Sequence, residues 1–163
     1  MSSIDKRAVV AALRARIVFA LESLTASHKA VHAGAVHPDA KQEHSKDMRA
    51  TEASYLARGL AERVETLRDA VRALDLMPLR AFGNDETIST GALVTIADGE
   101  DFESSYLLAP AGGGERVSIA GREVLVLTPQ SPLGSSLLGR CLGESVSVDL
   151  PAGRKAVEIV DVQ

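Results

Sequence analysis

The sequence predicts an α+β protein, in which an N-terminal antiparallel coiled-coil hairpin is followed by a small antiparallel β domain with one short helix. Three observations predict this fold class. Residues 5 to about 33 have heptad spacing without proline or glycine, a second heptad pattern runs from Asp47 to Pro78, and the apolar period then changes to two. We therefore expect one domain over residues 1–76 and a second over residues 77–163.

Each predicted helix has an apolar seam whose steps alternate between three and four residues, as in a coiled coil. In the first helix the seam comprises Val10, Leu13, Ile17, Ala20, Leu24, Ser27 and Val31, with Ser27 as its polar member. In the second helix it comprises Ala53, Ala57, Leu60, Val64, Leu67, Val71 and Leu74. Gly34 and Pro38 interrupt the pattern between them, so the two helices are predicted to pair antiparallel.

Six short strands are predicted after Pro78, separated by turns rich in glycine and proline. They are Leu93–Ala97, Glu103–Leu108, Arg116–Ile119, Glu123–Thr128, Ser145–Leu150 and Ala156–Val162. Between the fourth and fifth strands, Ser131-Pro132 begins a short helix that Gly139 ends, because proline suits the first turn of a helix and glycine suits its end.

Composition excludes several classes of protein. Only 3% of the 163 residues are aromatic, so the core must be aliphatic, and the single cysteine, Cys141, cannot form an internal disulfide. No apolar run reaches the roughly 20 residues of a membrane span, and the N-terminus lacks the apolar segment of a signal peptide. We expect a cytoplasmic protein.

Charge is distributed unevenly along the chain. Residues 1–75 carry 12 Lys/Arg and 10 Asp/Glu, whereas residues 76–163 carry 6 Lys/Arg and 12 Asp/Glu. The basic excess of the first half is too small to predict nucleic-acid binding by itself. Most of these charges are interpreted as an ordinary solvated surface.

Three carboxylates, Asp39, Glu43 and Asp47, are spaced four residues apart at the predicted tip of the hairpin. On a helix they would form one acidic stripe. They either solvate and cap a helix start or offer oxygen ligands to a hard cation such as Mg²⁺.

A zinc site is a rival interpretation of the same region, because His28 and His32 have i, i+4 spacing. His37 and His44 are nearby, but no cysteine and no His-Glu-x-x-His pattern accompanies them. Exposed polar histidines are the better interpretation.

The predicted β domain contains no histidine, and neither Cys141 nor the serines near Pro132 have a base close in sequence. An active site of its own is therefore not expected, and we predict that the protein is not itself an enzyme. The short helix from Pro132 either covers the sheet or presents Pro132 and Leu133 for docking.

The C-terminal sequence resembles that of the Gre-type bacterial transcription elongation factors. The motifs that carry the resemblance are Ser131-Pro132, Leu137-Leu138-Gly139, Gly143-Glu144, Pro151-Ala152-Gly153 and Glu158-Ile159-Val160. The resemblance implies an FKBP-like C-terminal domain that docks on RNA polymerase, here through Ser131, Pro132, Leu133 and Gly134. It also implies a coiled coil that enters the secondary channel of the polymerase.

The same resemblance implies a role for the hairpin tip. Asp39 and Glu43, with Asp47 as a substitute, would help to hold a Mg²⁺ ion of the polymerase active site and so stimulate cleavage of backtracked RNA. Lys41, Lys46 and Arg49 would lie near the RNA 3′ end. The free protein would bind no metal stably, act as a monomer and need no membrane.

Two alternatives stay open. The tip of the family usually reads Gly-Asp-x-x-Glu-Asn-Ala. If Asp39 is aligned with the Asp of this motif, Gln42 falls at the position of the Glu. If Glu43 is aligned with the Glu instead, Ala40 falls at the position of the Asp. A regulator that binds polymerase without promoting cleavage is therefore the first alternative. The second is a prolyl isomerase or chaperone, which would need an aromatic pocket built from Phe82, Phe102 and Tyr106.

Overall fold

The computed structural model describes residues 4–35, 45–99, 103–150 and 153–163, and the side chains at 34, 35, 45–47 and 150 are outside that description. The chain divides into two compact units. One comprises Met1–Arg14 with Arg72–Gln163, and the other comprises Ala15–Val71. The boundary expected between residues 76 and 77 stays a prediction.

Two long helices account for the N-terminal part, α1 (Lys6–Ala35) and α2 (Ser45–Asp75). Leu21, Thr25 and Lys29 of α1 line one groove together with Arg68 of α2, so the helices lie side by side. The intervening residues 36–44 can span at most about 32 Å, whereas a helix of 30 residues is about 45 Å long. A parallel pairing would need a longer connection, so the pair is antiparallel.

Burial along the helices follows the predicted seams closely. All seven seam positions predicted in α2 are buried or half-buried. In α1, however, Ala20 and Ser27 are exposed, while Leu21 and His28 are half-buried in their place. The seam prediction was wrong at these two positions, because the 3.6-residue period of a helix drifts from a strict heptad and brings the larger Leu21 inward.

The unit that comprises Met1–Arg14 with Arg72–Gln163, called the β unit below, contains one six-stranded sheet in the order β3-β4-β2-β1-β6-β5 and a short helix, α3 (Pro132–Leu137). The strands are β1 (Leu93–Ala97), β2 (Glu103–Leu108), β3 (Arg116–Ile119), β4 (Arg122–Leu127), β5 (Ser145–Leu150) and β6 (Gly153–Val162). The predicted α+β fold class is confirmed, and every predicted strand is present.

One strand pair differs from the expected antiparallel arrangement. Strands β2 and β4 pair in parallel, with Leu107 opposite Val126, while the other pairs are antiparallel. Parallel neighbours need a long connection, and residues 109–121, which include β3, provide it. The period-two pattern identifies strands but carries no information on their direction.

A mostly aliphatic core covers one face of the sheet. Leu137 of α3 is fully buried and belongs to the same cluster as Val146 and Val148 of β5. Strand β6 has a bulge, since Thr95 pairs with Asp161 but Ile96 pairs with Ile159, and the residue left between them is the exposed Val160. Among the described residues, no helix is long and apolar enough to cross a membrane.

Candidate functional site

The Ser-Pro turn after β4 is held by three hydrogen bonds around Ser131. The Ser131 hydroxyl donates to the Thr128 carbonyl at 2.7 Å and accepts from the Gly134 N–H at 3.1 Å. The Ser131 N–H also donates to the Thr128 carbonyl, at 3.0 Å. Ser131 has extended backbone angles and is the N-cap of α3, so its hydroxyl satisfies a donor that the helix start would leave unpaired.

Gly134 is required by the same turn. A Cβ atom at this position would lie 2.1 Å from the Thr128 carbonyl oxygen and 2.7 Å from the Ser131 hydroxyl oxygen. A larger residue would require the Thr128 backbone to move, which would cost free energy. Only glycine therefore allows α3 to begin so close to the end of β4. Thr128 was not singled out from the sequence, although its position three residues before Ser131 is the spacing of a tight turn.

The four predicted docking residues therefore divide into two pairs. Ser131 and the buried Gly134 build the turn, whereas Pro132 is exposed and Leu133 is half-buried against the core. Pro132 occupies the first turn of α3, where its missing N–H is not needed. Docking by these residues stays a prediction, and Pro132 and Leu133 are the two that offer apolar surface for it.

The end of α3 is fixed to the segment that precedes β1. Gly139 has φ of +76° and donates its N–H to the Ile88 carbonyl at 2.9 Å. The Ile88 N–H in turn donates to the Arg140 carbonyl at 2.7 Å. Both ends of α3 are thus tied to backbone, so the exposed side chain of Pro132 is presented from a rigid support.

The predicted tip residues lie mostly beyond the described part of the chain. Asp39, Glu43 and Lys41 fall outside it, and Asp47 and Lys46 fall in α2, where their side chains are not described. Arg49 lies on α2 and is exposed. A carboxylate pair at the tip therefore stays a prediction, and so does a basic surface around it.

The two described histidines lie on α1, with ring centroids 6.3 Å apart and ring planes inclined by 50°. His32 is exposed, and His28 is half-buried. Across the described ranges, no group of three or more His, Cys, Asp or Glu side chains is placed to hold a metal ion. His37 and His44 lie outside those ranges.

A groove on the sheet shows whether the β unit offers the aromatic pocket that a prolyl isomerase would need. Of the three aromatic residues that the isomerase alternative needs, Tyr106 lines this groove, Phe82 is buried in the core, and Phe102 lies outside the described residues. The rest of the lining is chiefly polar and charged, namely Glu103, Ser104, Ser105, Arg116, Arg122 and Glu123, with Leu125. This groove lacks the apolar aromatic wall that such a site needs.

Comparison with known proteins identifies the β unit. Residues 83–163, which contain the whole sheet and the Ser-Pro turn, match the family described as "Transcription elongation factor, GreA/GreB, C-term". Transcription elongation factor GreA of Bradyrhizobium diazoefficiens is 34% identical over 101 residues, which cover 62% of this chain and 60% of that protein. GreA of Streptococcus pneumoniae (strain G54) is 28% identical over 101 residues, covering 61% of this chain and 59% of its own.

Solved structures with some likeness include GreA factor homolog 1 (Gfh1) of Thermus thermophilus, with a TM-score of 0.40 and 20% identity over 92% of this chain and 94% of that one. The alignments with the two GreA proteins span about 60% of those proteins' length. Residues 83–163 are therefore a domain of the type found at the C-terminus of the Gre-type transcription elongation factors.

Proposed function

We propose that this protein binds RNA polymerase in the cytoplasm and regulates transcription elongation, as one copy on each polymerase. The observation that carries the proposal is the family match over residues 83–163, which includes the Ser-Pro turn and α3. The β unit would dock on the polymerase, and the helical hairpin would enter its secondary channel.

Pro132 and Leu133 are the centre of the proposed docking surface. Pro132 is exposed at the start of α3, and Leu133 is half-buried beside it. The hydrogen bonds of Ser131 and the close approach at Gly134 fix the position of both. An apolar surface held this rigidly loses little conformational freedom on binding, which favours affinity.

A charge at Pro132 tests the docking surface. Pro132→Glu should preserve α3, because a carboxylate is favourable in the first turn of a helix. It should weaken binding of core RNA polymerase at least about tenfold, as expected when an apolar contact is replaced by a charge. The matched control is Ser147→Glu, which puts the same charge on an exposed position of edge strand β5.

Equal affinity of the Pro132→Glu and Ser147→Glu proteins would remove Pro132 from the docking surface. No binding of polymerase by the unmodified protein would refute the proposed function itself. Both can be measured by titrating fluorescently labelled protein with purified core polymerase.

We further propose that the hairpin tip stimulates cleavage of backtracked RNA. Asp39 and Glu43, with Asp47 as a substitute, would share a Mg²⁺ ion of the polymerase active site, and Lys41, Lys46 and Arg49 would approach the RNA 3′ end. Two metal ions in such a site stabilise the attacking and leaving oxygens of phosphoryl transfer. The sequence spacing of the three acids supports the proposal.

Stalled elongation complexes carrying end-labelled RNA test the cleavage role. The protein should produce shortened transcripts, and Asp39→Ala/Glu43→Ala should abolish them while polymerase binding persists. Glu52→Ala/Glu62→Ala is the matched control, since it removes two exposed acids from α2 of the same hairpin. Equal loss in both double variants would show that general acidity, not the tip pair, is what matters.

A regulator that binds polymerase without stimulating cleavage is the second candidate. The observation that favours it is the tip sequence, because aligning Asp39 or Glu43 with its family position leaves Gln42 or Ala40 at the other acid position. This candidate predicts tight binding, no shortened transcripts and competition with a factor that does stimulate cleavage. The same stalled-complex assay distinguishes it from the first.

A further inference from the structure

Strand β1 is buried on both of its faces. Residues 93–96 are all buried, although neighbouring side chains of a strand point to opposite faces of the sheet. The hydrophobic cluster that contains α3 includes Val94 and Ile96, but it does not include Leu93 or Thr95. Leu93 and Thr95 therefore point away from that cluster, and other residues of the β unit must cover them.

The buried residues on this second face continue across the sheet. Directly opposite residues of paired strands share a face, and Leu93 pairs with Leu107, which pairs with Val126. We define the second face by the following residues, each at most 8% exposed: Leu93, Thr95, Ser105, Leu107, Val117, Val124 and Val126. On the same side of β5 and β6, the opposite residues Ser147 and Ala156 are exposed. The cover therefore spans β1, β2, β4 and β3 and ends between β1 and β6.

The first turns of α1 are buried more completely than the rest of the helix. Val9 and Leu13 are fully buried, whereas the described residues 18–33 are all half-buried or exposed. Val10 and Leu13 belong to the seam predicted to face α2, but Val9 lies outside that seam. Adjacent residues of a helix differ in direction by about 100°, so burial of both Val9 and Val10 means that α1 has a second covered side here.

The N-terminal segment lies in the same compact unit as the sheet, since Met1–Arg14 groups with Arg72–Gln163. The Lys6 ammonium, for example, donates to the Arg80 carbonyl at 2.5 Å. Outside the strands and the cluster that contains α3, few residues described in the β unit have buried apolar side chains. They are Ile4, Val9, Val10, Leu13, Leu74 and Met77, with Ala109 directly after β2. Except for Ala109, all are near the start of the chain or the end of α2.

We propose that the second face of the sheet is an interaction surface whose occupant is the N-terminal segment of this chain, residues 4–13, assisted by Leu74 and Met77. The second face is apolar at most of its positions and almost completely buried, and these residues are the apolar cover that the described part of the β unit provides. Residues 83–163 are then not a self-sufficient folding unit in this chain, because without the N-terminal segment their second face would be exposed to water. The inference rests on burial and strand register alone, so it does not depend on the proposed function.

Amide hydrogen exchange of the full chain, followed by NMR, tests this dependence. Val9→Ala removes apolar volume from the proposed cover and should accelerate exchange in the sheet at least about tenfold, because a cavity in a packed core destabilises the whole unit. Suitable reporters are the N–H groups of Leu93, Leu108 and Val126, which donate to the carbonyls of Gln163, Ala92 and Glu115. Val31→Ala is the matched control, since Val31 is a half-buried valine of α1 in the other compact unit.

Sheet exchange that is equal in the Val9→Ala and Val31→Ala proteins would overturn the proposal. Acceleration confined to the N–H groups of α1 would overturn it too, because the sheet would then be stable without its proposed cover.

A double-mutant cycle identifies the face that Val9 covers. Leu107→Val and Leu108→Val are a matched pair, because both leucines are fully buried in β2 but only Leu108 belongs to the cluster that contains α3. In urea unfolding, the loss of stability from Val9→Ala should be non-additive with that from Leu107→Val and additive with that from Leu108→Val. Additivity in both pairs, or coupling to Leu108 alone, would overturn the proposal.

Discussion

The guanidinium of Arg14 forms a two-pronged ion pair with the carboxylate of Asp75. Its Nε atom lies 2.6 Å from Oδ1, and its NH2 group lies 3.0 Å from Oδ2. Arg14 belongs to α1 and Asp75 is the last residue of α2, so the pair joins the two helices at the base of the hairpin. Paired geometry of this kind fixes orientation as well as charge.

Acid should weaken this link in a defined direction. The Arg14 hydrogen bond lowers the pKa of Asp75 below its ordinary value. A lowered carboxylate pKa contributes stability that is present above the unfolded-state pKa, and this contribution is lost as the pH falls through the folded-state pKa. Between about pH 5 and pH 2, the free energy of unfolding should therefore fall more steeply in the unmodified protein than in Arg14→Gln.

Urea unfolding at a series of pH values measures this difference. Arg58→Gln is a suitable control, because Arg58 contacts Glu62 only at 4.0 Å on an exposed helix face. Its pH profile should match that of the unmodified protein. Parallel profiles for Arg14→Gln and the unmodified protein would mean that the ion pair does not persist in solution.

Replacing Gly134 with alanine should destabilise the β unit by about 1–3 kcal/mol, the usual cost of forcing extra volume into a packed site. The reason is the 2.1 Å approach that the new Cβ would make to the Thr128 carbonyl oxygen. Chemical unfolding followed by circular dichroism gives the value. A change below about 0.5 kcal/mol, within the range of ordinary surface substitutions, would show that the turn can move aside without cost.

The same substitution at Gly59 should have the opposite effect. Gly59 lies inside α2, and no atom lies within 4 Å of the position that a Cβ would take. Alanine there should stabilise the helix by about 1 kcal/mol, because it restricts the unfolded chain and favours helix. A higher unfolding midpoint for Gly59→Ala, beside a lower one for Gly134→Ala, is the expected contrast; a lower midpoint for both would contradict it.

Thr95 and Ser105 form a buried hydroxyl pair across β1 and β2, with their oxygens 3.2 Å apart. Thr95→Val removes one hydroxyl and leaves that of Ser105 without this partner, so the expected cost is about 1–3 kcal/mol. Adding Ser105→Ala removes the second polar group and should recover part of that loss. A loss in the double variant equal to the sum of the losses in Thr95→Val and Ser105→Ala would show that the two hydroxyls are not coupled.

Sequence periodicity predicted an element well where one of its faces is buried and the other is exposed. Along β5, the buried Val146 and Val148 alternate with exposed neighbours, and this period of two is direct evidence for a strand. In β1, residues 93–96 are all buried, so the strand was recognised there from its apolar, β-branched composition. Strand direction was not available from the pattern, and the parallel pairing of β2 with β4 was missed for that reason. Within α1, the inward position of Leu21 instead of Ala20 was missed because a 3.6-residue period was approximated by a heptad.

The candidate docking turn was predictable in outline but not in mechanism. Ser131 and Pro132 are a recognisable helix start, and the structure confirms α3 there. The role of Thr128, whose carbonyl accepts two hydrogen bonds from Ser131, depends on backbone geometry that no side-chain pattern encodes. The contact of the Lys6 ammonium with the Phe82 ring was missed for a similar reason, since the two residues are far apart in sequence and meet only in the folded protein.

The position of β6 between β1 and β5 determines how late in synthesis the sheet can be completed. Strand β1 forms its hairpin with β2 early, but its other edge waits for residues such as Ile159 and Val162, which emerge much later. Until then the nascent chain exposes an unpaired strand edge, which can pair with other chains. The edge of β1 is therefore protected only once β6, the last strand of the sheet, is available to pair with it.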